Sequence, residues 1–309
     1  MVAATRVRIA TRGSELARWQ ASYVADRLVA AHDGLEISFV VVDTRGDRNQ
    51  DIPVWEMGGQ GVFVKEVQAA VLDGRADVAV HSAKDLPSVT DPGLRLASVP
   101  VREDPRDALV GMALDALPTG ARVATGSVRR RAQLAGARPD LRFASLRGNI
   151  ATRVARASEF DAVVVAAAAL HRLGLEERIA EILDVSVMLP QVGQGALAVE
   201  CRATDEERAT LLAAIDAPTT RRELEAERAF LARLGGGCDL PVGAYATEQR
   251  GIITIEGMLA SLDGHIILRD VTTGPSAHPG ELGASLAARL LNEAGGSAIL
   301  DDLAGGAPR

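Results

Sequence analysis

Ala76-Asp-Val-Ala-Val80-His81-Ser-Ala-Lys84-Asp85 is the stretch whose reading decides the fold. Ala76–Val80 reads as a short buried strand, and it runs into polar residues at its carboxyl end. Upstream, Val7–Thr11 reads as a strand and Ser14 opens a helix to about Ala31. Leu35–Val42 is a second strand, and Val62–Leu72 is helical. Strands separated by helices of this length imply βαβ units and a mainly parallel sheet. The pattern restarts downstream: strand Arg122–Thr125, helix Ser127–Ala135, strand Leu141–Ser145, helix Asn149–Ala157, then the wholly apolar strand Ala162–Ala166. Between the halves, Pro100, Asp104, Pro105 and Pro118 mark a domain crossover. A second crossing falls near Gln191-Val-Gly-Gln-Gly195, where glycine permits unusual backbone angles. The last 90 or so residues differ: a polar helix from about Thr219 to Arg233, short strands at 242–247, 252–260 and 265–271, and a helix at 279–294. Strands grouped and packed by helices imply an α+β domain.

The chain has 309 residues, more than one compact core usually serves. Aromatics make up only 3%, so Ala, Val, Leu and Gly pack the cores, which suits α/β layers. A net charge of −7 argues against general affinity for nucleic acid or an anionic membrane. Arginines nevertheless cluster at 129–131 and 147–156, with a further one at 172. Cys201 and Cys238 have no regular spacing with histidine, which argues against a disulfide framework or a zinc site. No apolar run approaches a membrane span, and the N-terminus lacks a signal peptide's apolar segment, so a cytoplasmic protein is expected.

Thr11-Arg12-Gly13-Ser14, Thr125-Gly126-Ser127 and Arg147-Gly148-Asn149 share one design: a strand ends, a small polar turn follows, and a helix begins. Free N–H groups and the positive end of the helix dipole collect there, so each can hold a carboxylate. Arg12, Arg129, Arg130, Arg147 and Arg153 lie within a turn or so of these caps and can bind carboxylates bidentately. Any one of Ser14, Ser127 and Asn149 could equally be a plain N-cap. Together they point to an interdomain cleft for a polyanionic small molecule. Asp85, beside Lys84, could stabilise a developing cation or handle a proton. His81 reads as a structural histidine, and Cys201 as a buried thiol. Cys238 follows three glycines, which could present its thiol at a loop tip or simply bury it.

The chain resembles porphobilinogen deaminase over nearly its whole length. The runs that carry the resemblance are IATRGSELARWQA (9–21), DTRGD (43–47), GVFVKE (61–66), ADVAVHSAKDLP (76–87), REDPRDAL (102–109), TGSVRR (125–130), SLRGN (145–149) with Thr152-Arg153, HRLGLEERI (171–179), LPQVGQGALAVECR (189–202) and GGGCDLPVGAYA (235–246). The resemblance implies two α/β domains like those of periplasmic binding proteins, plus a small C-terminal α+β domain. It divides the chain as 1–100 with about 196–213, then 101–195, then 214–309. It further implies a transferase that deaminates four porphobilinogen molecules and condenses them stepwise onto a dipyrromethane cofactor. Cys238 would hold that cofactor by a thioether, and hydrolysis would free hydroxymethylbilane for uroporphyrinogen-III synthase. A monomer without metal is expected.

By the same resemblance Asp85 is the essential carboxylate. Lys84, Thr125, Ser127, Arg129, Arg130, Arg147 and Gly148 match cofactor-binding positions. Arg12, Ser14, Arg153, Arg172 and Gln194 match substrate-binding ones. Two departures fall in a loop expected to cover the site: Gln60 stands where many relatives have lysine, and Glu56 where some are basic. The competing reading is a non-catalytic anion-binding module, which leaves the third domain and the GGGC loop unexplained.

Overall fold

The computed structural model describes residues 5–44, 46, 61–236 and 240–305. The chain divides into two units, Met1–Glu103 with Gly195–Arg221, and Asp104–Gln194 with Arg222–Arg309.

Unit 1 is built on a five-stranded sheet. Its strands are β1 (Arg6–Arg12), β2 (Glu36–Val42), β3 (Val78–Ser82), β4 (Leu94–Ser98) and β10 (Leu197–Arg202), in the order β2-β1-β3-β10-β4. Helix α1 (Glu15–Ala31) starts where Ser14 Oγ accepts the Ala17 amide at 3.3 Å, with Glu15 in the first turn facing the helix dipole. Its buried residues Gln20, Ala21, Val24, Ala25 and Leu28 follow the helical repeat. Ala21, Val24, Ala25 and Leu28 join Val7, Ile9, Val78 and Val80 in one core cluster. The alternate strand residues Ala10 and Ala79 pack with Val67, Ala70 and Val71 of α2 (Lys65–Leu72). The two-residue period of the strands thus divides the helices between the two faces. A further helix, α6 (Glu206–Ala213), follows β10.

Unit 2 repeats this order with β5 (Asp107–Gly111), β6 (Arg122–Ala124), β7 (Arg142–Ala144), β8 (Ala162–Ala166) and β9 (Ile179–Ile182), arranged β7-β6-β8-β5-β9. Helices α3 (Val128–Ala137), α4 (Ile150–Ala155) and α5 (Ala167–Arg172) follow β6, β7 and β8. The same unit holds a three-stranded antiparallel sheet of β11 (Val242–Gln249), β12 (Ile252–Ala260) and β13 (Ile267–Pro275). Phe230 of α7 (Pro218–Arg233) and Leu286 and Leu290 of α8 (Pro279–Asn292) pack with Ile253, Ile255 and Leu259. At Gly283 the backbones of these two helices come so close that a Cβ would collide with the Ala226 carbonyl. The last helix is α9 (Gly296–Gly305). The fold class is α/β, two sheet domains and a small three-stranded C-terminal one.

The sheets refine one expectation and correct another. Four of the five strands in each run parallel, as expected, but β10 runs antiparallel to both neighbours, as β5 does between β8 and β9. The reason lies in where each strand enters. Leu197 starts opposite Ser82, and Asp107 starts opposite Ala166, the last residues of β3 and β8. A strand entering at its neighbour's carboxyl end must run back along it. The segment read as a plain crossover also contains β5, a central strand. Its apolar stretch Ala108–Val110 is only three residues long, and flanking prolines mask it.

The outgoing and returning segments are bonded to each other. Within unit 1 the Glu103 amide donates to the Gly195 carbonyl at 3.1 Å. Within unit 2 Gln194 Nε2 donates to the Pro105 carbonyl at 2.7 Å and to Asp107 Oδ1 at 2.9 Å.

Candidate active site

In unit 1, the carboxyl ends of β1 and β3 and the first turn of α1 enclose a pocket. Arg12, Ser14, Gln20, Phe63, His81, Ser82 and Asp85 are among its lining residues. Arg12 ends β1, and its guanidinium lies over the Phe63 ring, 4.2 Å from the centroid. That stacking holds the cation at the mouth of the sheet. Asp85 closes the single 3-10 turn Ala83–Asp85 that follows β3, fixed by the Leu86 amide donating to the Ala83 carbonyl. Lys84 is half-buried in the same turn. Gln20 Nε2 donates to Ser82 Oγ at 2.8 Å, tying α1 to the strand end beside Asp85.

In unit 2 the arginine cluster has a centre that the sequence reading overlooked. Asp107 is fully buried and receives Arg129 Nη2 at 2.7 Å, Arg130 Nε at 3.0 Å and Arg130 Nη2 at 2.7 Å, in addition to Gln194. Burial favours the neutral acid, but the charges of Arg129 and Arg130, with the hydrogen bonds, outweigh it and hold the carboxyl at about 2. Burial in turn pulls the Arg129 guanidinium below its usual value, partly offset by Asp107. The remaining donors reach backbone: Arg129 Nη1 to Leu189 O at 2.6 Å, and Arg130 Nη1 to Val164 O at 3.0 Å. Arg129 Nε is buried with no acceptor among the described residues.

The helix starts behave as their sequences suggest. Ser127 Oγ accepts the Arg130 amide at 3.4 Å, and Thr125 Oγ1 accepts the Ser127 amide at 3.2 Å. Asn149 Oδ1 accepts the Thr152 amide at 2.9 Å, and Arg153 Nε donates to the Gly148 carbonyl at 2.8 Å. Gly148 has φ of 105°, a region that side chains disfavour, and a Cβ there would stand 2.9 Å from Thr152 Cγ2. Arg147 is half-buried next to it, and Arg172 is buried in the last turn of α5. The structure therefore gathers Arg12, Ser14 and Asp85 in one pocket, and Arg129, Arg130 and Gln194 around Asp107. Glu56, Gln60 and Cys238 lie outside the described residues.

Gln20, Phe63, Asp107 and Glu200 were not anticipated. All four lie inside runs shared with the family, and Asp107 has a further signal, an acid opening an apolar stretch inside REDPRDAL.

Residues 7–210 match the family model described as "Porphobilinogen deaminase, dipyromethane cofactor binding domain", and residues 222–292 match the family's C-terminal domain. The porphobilinogen deaminase of Roseiflexus castenholzii is 50% identical over 297 residues, covering 94% of this chain and 97% of the relative. That of Syntrophotalea carbinolica is 46% identical over 295 residues, covering 94% of each. The chain belongs to the porphobilinogen deaminase family. Members of this family are transferases of porphyrin biosynthesis, and the matched first domain is the one that binds the dipyrromethane cofactor. Among solved structures, the methionine-binding protein MetQ aligns with a TM-score of 0.42 at 13% identity, over 68% of this chain and 88% of that one. The family assignment rests on the sequence relatives.

Proposed function

We propose that the chain carries out its family's reaction with Asp85 at the reacting centre. It deaminates four porphobilinogen molecules in turn, joins them to a dipyrromethane held by Cys238, and releases hydroxymethylbilane by hydrolysis. The observation that carries this reading is the unit 1 pocket, where Asp85 shares one concavity with Arg12 and the start of α1. A carboxylate for a developing cation thus stands beside donors for the substrate's own carboxylates.

The residues of unit 2 fit a cofactor bearing acetate and propionate groups. Gly148 forms a cradle that a side chain would fill, with Arg147 beside it, and Arg129 Nε is a buried donor without an acceptor among the described residues. When bound, the cofactor supplies the pyrrole carbon at which the chain grows. Lys84, Thr125, Ser127, Arg129, Arg130, Arg147 and Gly148 hold its carboxylates. Arg12, Ser14, Arg153, Arg172 and Gln194 receive the incoming pyrrole. As the substrate's C–N bond breaks and the electron pair leaves with ammonia, positive charge spreads over the pyrrole. Asp85 offsets that charge with a fixed carboxylate.

In this reading residues 1–100 with about 196–213, then 101–195, then 214–309 act as three domains. The enzyme works as a cytoplasmic monomer, without membrane or nucleic acid, and passes its product to uroporphyrinogen-III synthase. Among the described residues no helix is long and apolar enough to cross a membrane.

Intact-mass measurement tests the cofactor. The purified protein should exceed its sequence mass by one dipyrromethane, and Cys238→Ser should abolish the excess; a folded wild type at sequence mass refutes the reading. Asp85→Asn should keep the excess mass and lose about 100-fold or more of turnover.

A further inference from the structure

Unit 1 buries a second titratable pair at the same pocket, which the mechanism above leaves unused. His81 lines the pocket but is only 5% exposed, and Glu200 of β10 is 0% exposed. The pleat puts both on the α2 side of the sheet, for Glu200 stands opposite Ala79, two residues before His81. Glu200 Oε2 lies 3.2 Å from His81 Nε2, in ion-pair range, and accepts Gln68 Nε2 of α2 at 2.9 Å. His81 Nε2 and Glu200 Oε1 are both buried with no hydrogen-bond partner among the described residues, so the two side chains meet at ion-pair distance without a formed hydrogen bond. A carboxyl group this deep requires polar neighbours, and His81 and Gln68 are the side chains set against it. Because Glu200 stands at Nε2, Nδ1 is the ring nitrogen left for the pocket.

We propose that His81 carries the proton released in each condensation and that Glu200 is its positioning residue. The inference rests on the assignment of the Asp85 pocket as the reacting centre. Joining two pyrroles breaks the substrate's C–N bond, whose electron pair departs on ammonia. A C–C bond forms from the ring carbon of the growing chain, and that carbon's C–H pair then restores the aromatic ring. The freed proton passes to His81 Nδ1 and from there to the ammonia, which leaves as ammonium. A carrier separate from Asp85 lets cation stabilisation and proton transfer occur together. Among the described residues that line the pocket or contact the pair, the charged groups are Glu200, Asp85 and Arg12, and α1 and α2 contribute Gln20 and Gln68.

Steady-state kinetics and nitrogen-15 NMR of histidine-labelled holoenzyme test this. His81→Gln should lower kcat about 100-fold with KM within about threefold, the range of a lost proton carrier. Added imidazole should restore about tenfold of the activity lost in His81→Gly, a rescue that a packing role does not predict. Glu200→Gln should reduce kcat less than His81→Gln does. In the wild type the proton on the neutral ring should sit on Nε2. If the variants do not fold, this measurement still decides: a neutral ring protonated on Nδ1 has no lone pair for the pocket and overturns the proposal. Full activity in His81→Gln with loss in Asp85→Asn sinks the proton role alone. Full activity in both variants sinks the site assignment itself.

Discussion

The two five-stranded sheets share one strand order but differ in what their inserted strands bury. In unit 2, β5 opens on Asp107 at the carboxyl end of β8, and two guanidinium groups answer it. In unit 1, β10 carries Glu200 three residues into the strand, answered by an imidazole and an amide. Guanidinium stays charged under all ordinary conditions, whereas an imidazole can take or give a proton. The same topology thus supplies a permanent charge cluster in one half and a proton-active one in the other.

The strongest way to break this comparison is to neutralise each buried acid. Asp107→Asn leaves two buried guanidiniums short of their counter-charge and should cost about 3–5 kcal/mol in urea unfolding. Glu200→Gln keeps its shape and leaves behind an imidazole that can remain neutral, so it should cost clearly less. Equal losses would erase the distinction between permanent and proton-active clusters.

Acid titration sharpens the same point. Asp107 sits at about 2 when folded, against about 3.9 for a free aspartate. Its folded value is depressed, so its contribution is present above about pH 4 and is lost as pH falls through about 2. The loss should amount to about 2–3 kcal/mol, and unfolding midpoints measured between pH 5 and pH 2 should show a slope that Asp107→Asn removes.

Gly148→Ala places a side chain at φ of 105° and against Thr152, at an expected cost of about 1–3 kcal/mol. Because the cradle is part of the proposed carboxylate site, cofactor retention should fall as well. The smallest effect compares the caps: Ser14→Ala and Ser127→Ala should each cost about 1 kcal/mol in thermal unfolding.

What could be read from the sequence follows the range of the interactions involved. Ala162–Ala166 announces a strand covered on both faces, and Ser14, Ser127 and Asn149 cap helices through bonds to residues three positions on. Such signals are complete within a few residues. Arg129 and Arg130 were legible as basic residues near a helix start, but not as partners of Asp107, which depends on β5 being inserted beside β8. Glu200 was hidden in the same way, inside a stretch that reads as apolar. Its pairing with His81 arises only once two strands far apart in sequence lie side by side. The runs shared with the family showed which residues belong together; the buried acids among them became visible only through strand pairing.

The bonds between the outgoing and returning segments bear on how those segments exchange with solvent. Glu103 with Gly195, and Gln194 with Pro105 and Asp107, tie residues about ninety positions apart, on either side of each crossing. Neither segment can loosen without breaking bonds to the other. In native-state hydrogen exchange the amides of 103–107 and 191–195 should therefore exchange as one cooperative unit with a common opening free energy, not as two independent linkers.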